Sequence, residues 1–219
     1  MRKWYIYGAG GFGKEALDIL STMQMSGDWS IEFVVDEVVK DNVLGIPVTA
    51  WNDNLVGRVT IGLGEPAVRH KLLDKLESSS LEVSSVISAY SFVSAKALVG
   101  KGSIIAPFSS IQATANISQN VAVNTMAIVG HDVEVGTSAV LSSQVNLGGG
   151  VRVGERTFVG MGALVREGVT IGSETIIGMG SVVYKDIPDG VIAMGNPARV
   201  VKRNENRRVF GGQENLSEQ

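Results

Sequence analysis

Val129-Gly130-His131-Asp132-Val133-Glu134-Val135-Gly136-Thr137-Ser138-Ala139-Val140-Leu141 decides the fold, because a branched aliphatic returns at every sixth residue, at Val129, Val135 and Leu141. Upstream the same register meets Ile87, Val93, Val99, Ile105, Ile111, Ile117 and Val123. Downstream it meets Leu147, Val153, Val159, Val165, Ile171, Ile177 and Val183, seventeen positions in all without an exception. The residue four places on is usually small, as at Ser103, Ser109, Ala115, Ala127, Ala139 and Ala163. Neither a helix nor a two-faced sheet has a period of six. A parallel β-helix does: each hexad gives one short strand and one corner, and three hexads close a coil whose aliphatic side chains stack inside. Gly100, Gly130, Gly136, Gly148, Gly154, Gly160, Gly172 and Gly178 directly follow the aliphatic residue, where corners are expected to need unusual backbone angles. Seventeen hexads make nearly six coils, a prism roughly 25–30 Å tall at strand spacing. Periodicity does not give the hand of the coil, since crossovers in general are right-handed.

Before the repeat the rhythm is that of a small α/β domain, residues 1–80. Lys3–Tyr7 is a β-prone run ending at Gly8, and Ala16, Leu17, Ile19, Leu20 and Met23 then recur at helical spacing, with Gly27 closing the helix. Ile31–Val35 and Arg58–Gly62 are further strands, Glu65–Glu77 is a second helix, and Ser78-Ser79-Ser80 reads as the linker. Three strands and two helices make a Rossmann-like β-α-β unit. The prism then occupies residues 81–187, and 188–219 form a C-terminal turn and tail, of which 211–219 are expected to be disordered.

Composition narrows the function classes. The net charge of −3 does not suit a nucleic-acid binder. With no cysteine, disulfides, thiolate metal sites and a cysteine nucleophile are excluded, which fits a reducing cytoplasm. The run Trp4–Gly8 is too short for a signal core, so neither secretion nor a membrane span is expected.

Gly8-Ala9-Gly10-Gly11-Phe12-Gly13 follows a strand and opens a helix, and Asp36 lies just past the next strand. That satisfies G-x-G-x-x-G, but one β-α-β unit is half of a dinucleotide site. A P-loop is disfavoured because Glu15 stands where a magnesium-binding hydroxyl belongs. The remaining choices are a single nucleotide cradle, with pyrophosphate on the helix N-terminus and Asp36 on a base or ribose, or a tight strand–helix turn. The chain has two histidines. His70 sits in a helix and is expected on its solvated surface. His131 is a corner residue followed by Asp132, and from the residues alone it is either a surface histidine or a base.

The repeat, with the closing segment Lys185-Asp186-Ile187-Pro188-Asp189-Gly190 and Gly195-Asn196-Pro197-Ala198-Arg199, resembles the left-handed β-helix acyltransferases. The glycine-rich opening, Val34-Val35-Asp36-Glu37 and Gly130-His131-Asp132 narrow this to the branch that N-acetylates nucleotide-linked amino sugars in bacterial glycan synthesis or O-acetylates sialic acid. The resemblance implies a homotrimer with sites between neighbouring prisms, acetyl-coenzyme A as donor, no metal, and a nucleotide-sugar site on the N-terminal domain. It places His131 as base and Asp132 as its orienter. It also places the Gly149 amide, one coil above, on the thioester oxygen, and Gly178 and Gly180 along the coenzyme A channel. Gly8, Gly10, Gly11, Gly13 and Asp36 become the nucleotide-sugar contacts. Arg199, Lys202 and Arg203 are candidates for the coenzyme's phosphates or simply solvated. Several relatives carry a second histidine on the next coil, where this chain has Thr137-Ser138-Ala139-Val140, so the sugar contacts there are not carried over. The expected activity is N-acetylation of a nucleotide-linked 4-amino-6-deoxysugar. Sialic acid O-acetylation and a non-catalytic nucleotide-sugar-binding or assembly protein are the alternatives.

Overall fold

A computed structural model describes residues 2–23 and 27–210. The tail expected to be disordered, 211–219, lies outside the described residues. The chain opens with β1 (Arg2–Tyr7), α1 (Gly11–Thr22), β2 (Trp29–Val35), β3 (Asn42–Val43), β4 (Ile46–Ala50), β5 (Gly57–Ile61), α2 (Pro66–Glu77) and β6 (Leu81–Val83). They form one six-stranded sheet in the order β3-β4-β2-β1-β5-β6, parallel except for the β3–β4 pair. The sheet therefore exceeds the three strands expected. Short β4, with Pro47 in it, and β6, past the serine run, carry little periodicity of their own and owe their place to pairing with β2 and β5. The first helix stops at Thr22 rather than at Gly27, its last N–H partner being Met23 on the Leu20 carbonyl.

Alternation along β1 sorts the two cores. Trp4 and Ile6 point to the α1 side, and Tyr5 and Tyr7 to the α2 side. The α1 side is closed by the prism, since Ala16, Ile19, Leu20 and Phe33 pack with Val86, Ile104 and Ala106.

From Val86 the chain winds as a β-helix of two-residue strands on three faces. Each aliphatic of the hexad lies directly under its counterpart eighteen residues on: Ile105 pairs with Val123, Val123 with Leu141, Leu141 with Val159, and Val159 with Ile177. These side chains and the residues four places after them, such as Ala115, Val121, Ala127, Val133 and Ala139, fill the interior.

The corners obey a different rule from the one expected. The residue three places after each aliphatic, every sixth position from Gly102 to Gly180, is the one with positive φ, and most of these residues are not glycine. The glycines directly after the aliphatic have ordinary φ and serve close approach. A Cβ on Gly154 would stand 2.3 Å from the Ser173 nitrogen, and one on Gly136 2.5 Å from that of Glu155. There is no room for a side chain between successive coils at those points.

The three faces differ in what they show outward. The face holding Val86, Ile104, Ala122 and Val140 is buried, Val86 and Ile104 packing in the core they share with the N-terminal domain. The next presents Phe92, Ile128 and Leu164 to the surface, flanked at one corner by Tyr90, Phe108, Met126, Met161 and Met179. The third is polar, with Asn116, Glu134, Arg152 and Thr170 outward.

One fully buried cation joins domain to prism. Arg69 of α2 donates from Nη1 to the Ile61 and Leu63 carbonyls (2.7 and 2.9 Å) and from Nη2 to Oδ1 and the carbonyl of Asn120 (2.8 and 2.9 Å). Asn120 is a positive-φ corner residue, and its Nδ2 returns a bond to the Arg69 carbonyl at 2.8 Å. Burial pulls the guanidinium down to about 9, still a cation near neutrality. Next to it, His70 is docked rather than solvated, with Nδ1 3.4 Å from Ser138 Oγ and Nε2 3.2 Å from Arg156 Nη1. An arginine can only donate, so His70 Nε2 accepts and Nδ1 bears the proton.

Beyond the last hexad the chain is more than a turn and tail. Val191–Met194 and Arg199–Arg203 form an antiparallel pair that extends the covered face. The segment after it returns to α2, where the buried Glu65 carboxylate accepts the Val209 and Phe210 N–H groups, each at 3.0 Å at its shorter distance. Burial pushes that carboxyl above the ordinary glutamate value despite these donors.

Close approach and backbone angle predict costs of different size at two glycines. Gly154→Ala lowers unfolding free energy by about 2 kcal/mol through overpacking. Gly162→Asn costs about 1 kcal/mol or less, because φ is +69° and its Cβ meets nothing within 4 Å. Denaturant melts of the two variants check this, and the reverse order contradicts the packing account.

Candidate active site

His131 and Asp132 lie at the corner between the apolar and polar faces, after strand Ile128–Val129 and before Glu134–Val135. Asp132 is the positive-φ residue of that corner, at +59°. His131 Nδ1 is 2.7 Å from Asp132 Oδ2, so the ring proton lies on Nδ1 and the Nε2 lone pair faces outward. The imidazole is 71% exposed in the single chain. Asp132 Oδ1 in turn receives the Thr114 hydroxyl at 2.6 Å from the coil below. That hydroxyl, with His131, holds the Asp132 carboxyl below the ordinary aspartate value.

Gly149 sits against this ring. A Cβ there would be 2.5 Å from both Cε1 and Nε2 of His131, so the glycine makes room for the imidazole. Its carbonyl accepts from Gly168 N and its neighbour Gly150 donates to the His131 carbonyl. The Gly149 N–H itself has no partner among the described residues. His131, Asp132 and Gly149 are thus brought together.

Gly178 and Gly180 are not with them in the single chain. They stand at the corner between the covered and apolar faces, Gly180 as its positive-φ residue and Gly178 with its Cα facing Met194 Cβ. Arg199 lies on the C-terminal pair and donates to its own neighbour, the Ala198 carbonyl. Lys202 and Arg203 stand opposite Ile192 and Val191, on the extension of the covered face, away from the His131 corner. Asn124, at the other end of the strand that leads to His131, has a buried Oδ1 with no partner among the described residues. No spacing in the sequence distinguishes it from other corner amides, and the missing partner is visible only in three dimensions.

The glycine-rich turn lies at the carboxyl ends of the parallel strands. Gly8 has φ +107° and donates to the Val34 carbonyl, Gly13 packs so close to the Gly8 carbonyl that a Cβ is impossible, and Gly62 backs onto Gly13. Gly10 caps α1 without a side-chain bond and the first turn has no acidic residue, while Gly11 faces open space. Free first-turn N–H groups in open space suit an anion. The chain order turns from β2 and β4 on one side of β1 to β5 on the other, which is where ligands of open α/β sheets bind. Asp36 is already engaged: Tyr7 Oη donates to its Oδ1 at 2.6 Å and Lys75 Nζ at 2.9 Å. Partial burial pushes the Asp36 carboxyl up, but those two donors outweigh it and hold it below the ordinary value. Trp51 closes this cluster, its ring 4.5 Å from Lys75 Nζ.

Residues 3–76 match the family described as PglD N-terminal domain, and residues 150–185 match the bacterial transferase hexapeptide repeat. Among solved structures, a histidine-to-asparagine variant of perosamine N-acetyltransferase from Caulobacter crescentus, in complex with CoA and GDP-perosamine, is 32% identical. The match covers 91% of this chain and 97% of that one with a TM-score of 0.85. The chain belongs to the hexapeptide-repeat sugar N-acetyltransferases. The acetyltransferase domain of PglB from Neisseria gonorrhoeae FA1090 is 30% identical over 92% of this chain and 100% of that one, at a TM-score of 0.87. WeeI from Acinetobacter baumannii AYE is 27% identical over 92% and 100%, at 0.84. A search of curated proteins gives no match.

Replacing Gly149 by alanine displaces the imidazole without touching the core. The ring signals of His131 are expected to shift in this variant, with the melting temperature nearly unchanged. Unmoved His131 ring signals in Gly149→Ala contradict the contact.

Proposed function

We propose that the protein transfers the acetyl group of acetyl-coenzyme A to the amino group of a nucleotide-linked 4-amino-6-deoxysugar, with His131 as general base. The observation that carries this is the His131–Asp132 pair with Nε2 open to the surface and the unpartnered Gly149 N–H beside it. Its supports among relatives are the Caulobacter enzyme with CoA and GDP-perosamine and the gonococcal domain in complex with acetyl coenzyme A.

The sugar's amine lone pair attacks the thioester carbonyl carbon, forming the C–N bond. Charge gathers on the carbonyl oxygen, toward which the Gly149 N–H donates. His131 Nε2 takes the proton that the nitrogen sheds, and Asp132 stabilises the imidazolium. The C–S bond then breaks, and the departing thiolate receives that proton. Products are the acetamido sugar and free coenzyme A, with no net change in protons.

The N-terminal domain, residues 1–80 extended by β6, supplies the nucleotide-sugar site: the diphosphate on the N–H groups of Gly11 and Gly13 after the Gly8–Gly10 turn, and the nucleoside toward Asp36. Residues 81–187 carry the chemistry. The face that presents Phe92, Ile128 and Leu164, with the exposed Tyr90, Phe108 and Met126 at its corner, packs against a neighbouring prism in a homotrimer. Gly178 and Gly180 then flank the coenzyme from the corner at the far edge of that face, and Arg199 is a candidate for its phosphates. Both substrates point to the cytoplasm, and among the described residues no helix is long and apolar enough to cross a membrane.

Two measurements test this. His131→Ala is expected to lower transfer by about a hundredfold or more, and retention of near wild-type transfer overturns the base. In a thermal-shift panel of UDP-, dTDP-, GDP- and CMP-linked sugars at least one stabilises the protein. If none does, the cradle assignment is wrong.

A further inference from the structure

The His131 corner contains one residue that the fold itself does not want. Thr114 occupies the positive-φ position one coil below Asp132, at +62°. The same corner carries glycine at positions 150 and 168 on the coils above. A β-branched residue in the left-handed region is a genuine outlier, since its branched Cβ crowds its own carbonyl. Thr114 gains nothing from the core in return, because its side chain is exposed. Most other corner residues of positive φ are also not glycine, but Thr114 alone among them has a branched Cβ, and that choice at an exposed position points to a use for the side chain.

That use is visible in its bonds. The hydroxyl donates to Asp132 Oδ1 at 2.6 Å, and the same oxygen accepts from the Asp132 backbone N–H at 3.3 Å. The oxygen also lies against the Ala113 carbonyl. A hydroxyl has one proton, and an anionic carboxylate outcompetes a neutral carbonyl for it. Thr114 therefore grips Asp132 at both ends, by side chain and by backbone, and fixes the torsion of its carboxylate. With Oδ1 tied to the coil below, Oδ2 is left at 2.7 Å from His131 Nδ1.

We infer that Thr114 is a positioning residue of the acetyl transfer: its hydroxyl aims the Asp132 carboxylate that orients His131. Its hydroxyl bonds to Asp132 and not to the imidazole. The inference rests on the assignment of His131 as base, and the experiment separates the two.

Thr114→Val keeps the shape and the strain but has no hydroxyl, Thr114→Ser keeps the hydroxyl, and Thr114→Gly removes both hydroxyl and strain. Acetyl transfer to whichever nucleotide amino sugar the panel selects is followed as free coenzyme A thiol across pH. Thr114→Val is expected to lose roughly tenfold in kcat, the usual worth of a bond to a charged group, with KM for both substrates unchanged. Removing the donor raises the Asp132 pKa, so the carboxylate protonates at a higher pH than in the wild type. Thr114→Ser stays near wild type. Thr114→Gly raises the melting temperature yet shows the same loss of kcat, an outcome that a merely structural threonine does not give. The ring signals of His131, which sense the charge on Asp132, supply the same titration without an acceptor: the step moves up in Thr114→Val. Wild-type kcat and an unmoved step in Thr114→Val, with His131→Ala inactive, overturn the inference alone. Full activity in His131→Ala overturns the base assignment and this inference with it.

Discussion

Each coil of the prism hydrogen-bonds to the next through strands two residues long, and at the glycines that follow the inward aliphatic the two backbones come too close for a Cβ. The strand pairing and the aliphatics stacked inside the prism hold the eighteen-residue register, and the glycines let the coils approach where they do. Once the register is held, every outward side chain has a fixed neighbour one coil above and below, as Thr114, Asp132 and Gly150 do in one column and Ala113, His131 and Gly149 in the next. The chemistry borrows that regularity. An imidazole can lie flat over a glycine, with its carboxylate partner held from below, because stacking makes the positions of all three predictable to a fraction of a residue.

The same stacking separates the three faces into three tasks. Buried Val86, Ile104 and Ala106 take the N-terminal domain, whose α1 supplies much of the rest of that core. Polar Asn116, Glu134 and Arg152 meet water. Phe92, Ile128 and Leu164 run toward the His131 corner, so whatever covers that face also borders the imidazole. Arg69 sets the placement of the domain on the prism. A buried guanidinium with no carboxylate partner among the described residues is stable only while the Ile61, Leu63 and Asn120 carbonyls surround it, and separating the two parts would strand all of them.

Much of this was legible in the chain. The period of six named the prism and its inward residues, and counting eighteen from His131 found Gly149. What failed to show has a common cause. The glycines after each aliphatic suggest an unusual backbone angle where the structure uses proximity, because sequence spacing carries no information about which backbone lies opposite. β4 and β6 are short and held by pairing rather than by their own alternation. His70 sits in a helix whose pattern says surface, and only docking against Ser138 and Arg156 makes it an interface residue. Thr114 is an ordinary threonine until its φ and the carboxylate above it are known.

The account turns on which nitrogen of His131 is free. With two histidines in the chain, ¹⁵N-histidine labelling gives a spectrum that a His70→Gln variant assigns directly. At a pH where both rings are neutral, His131 is predicted to carry its proton on Nδ1, with Nε2 showing the shift of a bare lone pair that moves when acetyl-coenzyme A and the acceptor bind. A neutral His131 protonated on Nε2 instead would leave no base facing the substrates and would contradict the mechanism at its centre.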